Sequence, residues 1–76
     1  MHIIIFKTDV ATQTQASTLY PLLKALPPVQ QYNFDLEDCD RILRIVSTEP
    51  ETRAVCQVLK TQGFNCETME AFVYQP

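Results

Sequence analysis

The stretch Gln31-Tyr32-Asn33-Phe34-Asp35-Leu36, the polar turn Glu37-Asp38-Cys39-Asp40 and the run Ile42-Leu43-Arg44-Ile45-Val46 decide the fold. In the first run Tyr32, Phe34 and Leu36 alternate with Gln31, Asn33 and Asp35, the two-residue period of a strand with one buried and one wet face. In the last, Leu43 and Ile45 point one way, and Ile42, Arg44 and Val46 the other. The short polar segment between them predicts an antiparallel hairpin. Working outward, His2 to Lys7 holds Ile3-Ile4-Ile5-Phe6 and reads as a second central strand.

A helix is predicted between the first strand and the hairpin. Ala16, Leu19, Tyr20, Leu23 and Leu26 recur at helical spacing, with Leu22 at the edge of the stripe. Asp9 or Thr12 is the expected N-cap. Pro21 inside this stretch predicts a kink near Ser17, and Pro27-Pro28 ends the helix. After the hairpin, Thr48-Glu49-Pro50-Glu51 reads as a helix start. Thr48 is the expected cap, Pro50 lies in the first turn, and Glu51 completes a capping box. Ala54, Val55, Val58, Leu59 and Gln62 form its expected buried face. Gly63, the only glycine, stands where a helix end needs a left-handed residue. Phe64 to about Met69 is the last strand, with Ala71 to Pro76 as a tail or its continuation.

The predicted order is βαββαβ, an α+β ferredoxin-like sandwich. The crossover rule places both helices on one face of a four-stranded antiparallel sheet of order 4-1-3-2. At 76 residues this is one domain, 1–76, with its core at about 3–69 and a C-terminal tail at 70–76.

Composition narrows the function. Hydrophobic residues are 46% of the chain, enough to fold without metal or disulfide staples. The net charge is −3, and Lys7, Lys24, Arg41, Arg44, Arg53 and Lys60 are scattered. No nucleic-acid or anionic-membrane partner is expected. The longest apolar run, four residues ending at Lys7, is too short for a bilayer span and is not preceded by the basic region of a signal peptide. The expected location is cytoplasmic. Cys39, Cys56 and Cys66, three at wide spacing, fit free thiols in a reducing compartment.

The pattern resembles the heavy-metal-associated domain of copper chaperones and metal-transporting ATPases over about residues 3–69. Leu23-Lys24-Ala25-Leu26-Pro27-Pro28-Val29 is similar to that family's exit from its first helix, usually Leu-x-x-Leu-x-Gly-Val. Tyr32-Asn33-Phe34-Asp35-Leu36 resembles its Val-x-Val-Asp-Leu strand. Leu59-Lys60-Thr61-Gln62-Gly63-Phe64 resembles the end of its second helix. The family's Met-x-Cys-x-x-Cys motif would fall at Ala11, Gln13 and Ala16. An amide oxygen is a poor ligand for a soft ion and alanine is none, so the resemblance implies the fold without its metal grip. No metal is expected at Ala11, Gln13 and Ala16, and no cofactor is expected. The alternative is Cu or Zn held through Cys66 and a further donor.

Further chemistry is sparse. Cys66 is expected near the first loop, and Cys39 at the same end but on the opposite edge strand, beyond disulfide reach of Cys66. Cys56 reads as a small packing residue beside the buried stripe. The single histidine, His2, builds no triad and no enzyme is expected. The acidic turn Glu37, Asp38 and Asp40 lacks the spacing of a calcium loop and reads as a solvated hairpin. One glycine excludes a glycine-rich phosphate cradle.

The sheet face away from the helices is left uncovered. Ile4, Phe6, Tyr32, Phe34, Leu36, Leu43, Ile45, Phe64 and Cys66 are the inward set. Ile3, Ile5, Ile42 and Val46, with Met69, form an apolar patch around Arg44. Either Phe72, Val73 and Tyr74 fold back over this patch, or it meets an unknown protein partner or a second copy in a homodimer. The leading expectation is a non-enzymatic interaction or self-association module. The alternatives are metal binding or transport through Cys66, and small-ligand sensing by fold analogy.

Overall fold

The computed structural model describes residues 1–73. The chain runs β1 (His2–Thr8), α1 (Gln13–Lys24), β2 (Val29–Asp35), β3 (Ile42–Ser47), α2 (Thr52–Thr61) and β4 (Cys66–Val73). The four strands form one sheet in the order β2-β3-β1-β4, antiparallel at every junction. This is the 4-1-3-2 arrangement read from the other edge.

Alternation in the strands decides what is buried. Ile4 and Phe6 of β1, Leu43 and Ile45 of β3, and Phe34 of β2 meet Ala16, Leu19 and Leu23 of α1 and Val55 and Leu59 of α2 in one core. That common cluster places both helices on the same sheet face. Tyr20 of α1 packs over β2, its ring centroid 5.1 Å from Tyr32 and 5.9 Å from Phe34.

The first helix begins at Thr12, as one of the two expected caps. The Gln15 N–H donates to Thr12 Oγ1 at 3.1 Å, and Gln15 Oε1 accepts from the N–H of Thr12 at 3.2 Å and of Ala11 at 2.8 Å. This reciprocal box satisfies donors that the first helical turn leaves unpaired. The helix continues through Pro21 to Lys24.

The second helix is capped three residues later than expected, at Glu51 instead of Thr48. Thr48 does not cap it: the N–H of Thr48 donates to the Pro28 carbonyl at 2.9 Å, and its hydroxyl to the same oxygen at 3.4 Å. The Ser47 hydroxyl joins them at 3.0 Å and accepts from the Glu49 N–H at 3.2 Å. Thr48, the expected cap, is thus spent with Ser47 tying the end of β3 to the residue before β2. The N-cap is Glu51, without a side-chain cap bond. The buried face is also narrower than expected, since Gln62 is the exposed C-cap. Gly63 takes φ 88°, its N–H bonding the Lys60 carbonyl and that of Phe64 the Leu59 carbonyl. Those two bonds make a Schellman stop, and only a residue tolerant of the left-handed region serves there.

β4 is displaced from its expected span. It begins at Cys66 and runs through the expected tail to Val73, because Ala71, Phe72 and Val73 pair with Ile4, Ile3 and His2. A register shift between Ile5 and Phe6 inserts one residue, Met69, between Thr68 and Glu70. This bulge sends Met69, Glu70 and Phe72 toward the same side. Phe72 and Val73 therefore extend the sheet instead of folding over it; Tyr74 lies outside the described residues.

Candidate functional site

Three loops meet at one end of the sheet. The first, residues 9–12, joins β1 to α1. Asp9 holds it to the start of β4: one carboxylate oxygen accepts from the Asn65 N–H at 2.8 Å, the other from Asn65 Nδ2 at 3.0 Å. Val10 turns inward and is fully buried. The Thr8 hydroxyl donates to the Arg41 carbonyl at 2.6 Å and accepts from the Val10 N–H at 3.2 Å. The 37–40 hairpin is tied to the same place by the Thr8 N–H, shared between the carbonyls of Asp40 and Arg41.

The hairpin has its own local chemistry. Asp38 Oδ1 accepts from the Asp40 N–H at 2.8 Å, a side chain imitating a turn. Arg41 has φ 48°, the sparsely populated region for a non-glycine residue, and its guanidinium donates to the Leu36 carbonyl. Asp38, Cys39 and Asp40 offer ligand atoms within 4.8 Å of one another. Asp40 is also engaged by Lys7, Nζ to Oδ1 at 3.6 Å, and a thiol between two carboxylates suits neither hard nor soft ions well.

At the first loop, Ala11 and Gln13 are exposed, while Ala16 is fully buried against the core. The loop amides that face outward are satisfied by Gln15. No thiol, imidazole or carboxylate projects from positions 11, 13 or 16.

No protein-family model matches the sequence, and no curated protein matches it. Among solved structures, the chain superposes on the yeast copper transporter domain Ccc2a, determined in solution in its apo and Cu(I)-loaded states. The TM-score is 0.80 over 95% of this chain and 100% of that one, at 16% sequence identity. The fold is like that of this copper transporter domain, a ferredoxin-like βαββαβ sandwich. At that identity the likeness concerns the backbone layout alone.

The uncovered sheet face is patterned by the cross-strand register. One row reads Phe72, Ile3, Val46, Gln31; the next reads Glu70, Ile5, Arg44, Asn33; the third reads Glu67, Lys7, Ile42, Asp35. Ile3, Ile5, Ile42 and Val46 are half-buried by their neighbours, whereas Met69 and Phe72 are each 47% exposed. Ile3, Ile5, Ile42, Met69 and Phe72 line a single shallow depression, with Arg44 and Glu70 among them. The face is therefore an apolar strip crossed by a charged row, more mixed than the sequence pattern implies.

The structure also brings together two thiols, one of them read from the sequence as a small packing residue, that the sequence reading did not pair. Cys56 of α2 and Cys66 of β4 have sulfurs 3.0 Å apart, with the Cys56 thiol donating to Cys66. Both residues are half-buried. Burial, then the hydrogen bond and charge of Cys56, push the Cys66 thiol well above its ordinary 9.0, against an opposing pull from Lys60. The signal for this pair was present in the spacing. Counting from Gly63, Cys56 lies seven residues back along a helix rising ~1.5 Å each. Cys66 lies three residues on along a strand rising ~3.3 Å each. Both stand about 10 Å from the turn.

Proposed function

We propose that this domain is a non-enzymatic interaction or self-association module, cytoplasmic in location, that uses the heavy-metal-associated fold without its metal grip. The observation supporting this reading is the pairing of two features. The first loop offers an amide and a buried methyl where a soft ion needs thiolates, and the opposite sheet face offers Met69 and Phe72 beside Ile3, Ile5, Ile42 and Val46. Burial of each such side chain on association contributes roughly 1.5–3 kcal/mol for a fully exposed side chain, and correspondingly less for the half-buried ones. The charged row of Glu70 and Arg44 sets register and partner choice across such a contact, since an unmatched charge disfavours wrong pairings.

The test is the oligomeric state over a wide concentration range, followed by light scattering or sedimentation. Reversible association that Phe72→Asp abolishes supports the reading for self-association. In the partner case the chain stays monomeric, and a crosslinked partner must map to Ile3, Val46 and Phe72. A monomer whose crosslinks avoid this face refutes the assignment. Tight one-to-one binding of Cu(I) or Zn(II), lost in Cys66→Ser, would establish the metal reading instead.

A further inference from the structure

The unusual pair in this molecule is Cys56 and Cys66. Neither belongs to the first loop, and neither lies on the open sheet face. Their sulfurs stand 3.0 Å apart, about 1 Å more than the length of a disulfide bond. Two thiolates gripping a tetrahedral zinc at ~2.3 Å each would stand about 3.8 Å apart. The spacing is thus nearer to bond formation than to ion insertion, which would push the sulfurs apart.

Both thiols can be reached from outside. Cys56 lines a surface hollow with Thr52, Arg53, Gln57, Lys60 and Thr68. Cys66 lines a second with Lys7, Asp9, Asn65 and Lys60. Lys60 borders both, and Arg53 adds a second cation on the Cys56 side, so an anionic reagent is drawn to that opening. Cys39 is exposed on the 37–40 turn, at the far edge of the sheet from β4.

We propose that Cys56 and Cys66 are a reversible disulfide pair, made and broken by exchange with low-molecular-weight disulfides and thiols of the glutathione class. The Cys56 sulfur, deprotonated, attacks one sulfur of the small disulfide, giving a mixed disulfide and releasing one small thiol. Cys66 then loses its proton and attacks the Cys56 sulfur, forming the Cys56–Cys66 bond and releasing the second small thiol. The protein gives up two protons and two electrons, and the small disulfide takes them up and leaves as two thiols. Cys56 takes the first step because burial holds the proton on Cys66, and thiolates are the attacking species. The same burial favours the bond once made, since no stabilised thiolate on Cys66 waits to be released. The product clips α2 to the edge strand β4.

The experiment equilibrates the full chain in glutathione buffers of graded ratio, quenches with acid, alkylates free thiols and maps the peptides by mass. The expected result is an intramolecular Cys56–Cys66 peptide that accumulates as the buffer becomes oxidising and is lost on return to excess reduced glutathione. Cys39 stays alkylatable or carries glutathione. The Cys39→Ser chain is expected to behave identically. In Cys66→Ser the reaction stops halfway and glutathione accumulates on Cys56; should that variant fail to fold, Cys56→Ser is expected to leave Cys66 slow to take up glutathione, because burial holds its proton. Cys56 and Cys66 both alkylated in the most oxidising buffer would overturn the proposal. So would crosslinks that run only through Cys39, or protection of the pair from alkylation by bound zinc or copper in reducing buffer.

Discussion

Placing thiols at positions 13 and 16 tests whether the first loop lacks only ligands for a soft ion. Gln13 and Ala16 lie three residues apart in the first turn of α1, so their Cβ atoms face one side at about 5–6 Å, a span two thiolates can share around one soft ion. The helix N-terminus favours the thiolate form. The substitution Gln13→Cys is at an exposed site, and its cost in the apo protein is a few tenths of a kcal/mol. Ala16→Cys differs: that methyl is fully buried between helix and sheet, and adding a sulfur to a filled core costs about 1–3 kcal/mol. For a domain of this size the apo double variant should melt on the order of 5–20 °C below the parent. Cu(I) at a hundred times its dissociation constant adds ~2.7 kcal/mol to the folded state, enough to return the midpoint close to that of the parent. The assay is anaerobic competition against a chromophoric Cu(I) chelator, with circular-dichroism melts of apo and loaded forms. Parent protein that withstands the chelator as well as the double variant would refute the reasoning. So would a folded double variant that binds no better than the parent, because the loop would then lack more than its ligands.

Other perturbations probe separate parts of the argument. Thr12→Ala removes half of the reciprocal cap on α1 and should lower stability by ~0.5–2 kcal/mol in urea unfolding. Leu43→Ala, at a fully buried position in the core cluster, should cost about 2–5 kcal/mol and leave a domain this small near its folding limit at 37 °C, read by amide exchange. The Cys56–Cys66 bond closes a loop of about eleven residues, which adds ~3 kcal/mol in the chain-entropy account and raises the melting midpoint by about 10–20 °C. In the reduced protein the Cys66 thiol is raised above 9.0, so the unfolded chain loses that proton first. Stability should fall as the pH climbs past about 9, and the part of that fall due to Cys66 should vanish in Cys66→Ser when urea midpoints at about pH 8 and about pH 10 are compared.

Much of this architecture is legible from local pattern. The two-residue period in Tyr32-Asn33-Phe34-Asp35 and in Leu43-Arg44-Ile45 assigns faces correctly because an antiparallel strand with one wet face has no other way to hide its apolar half. Gly63 marks the end of α2 because the left-handed position there is costly for other residues. Thr48 misleads because a threonine before Glu-Pro-Glu has two uses for its donors, and the sequence does not show that the Pro28 carbonyl stands opposite. The length of β4 misleads for a similar reason. Glu67-Thr68-Met69-Glu70 lacks alternation, and the bulge at Met69 exists only once β1 is beside it.

Composition and pattern by themselves settled the order of elements, the faces of the central strands, the helix stop at Gly63 and the lack of thiols at positions 13 and 16. Each is a property of neighbours within a few residues, where backbone sterics and solvent preference act directly. Tertiary structure decided the rest: which carbonyl claims Ser47 and Thr48, the charged row that crosses the open sheet face, and the meeting of Cys56 with Cys66. Those depend on how far a helix and a strand travel from a shared turn, and on register between strands distant in the chain. Such distances are set by packing the whole core at once, and no single segment encodes them.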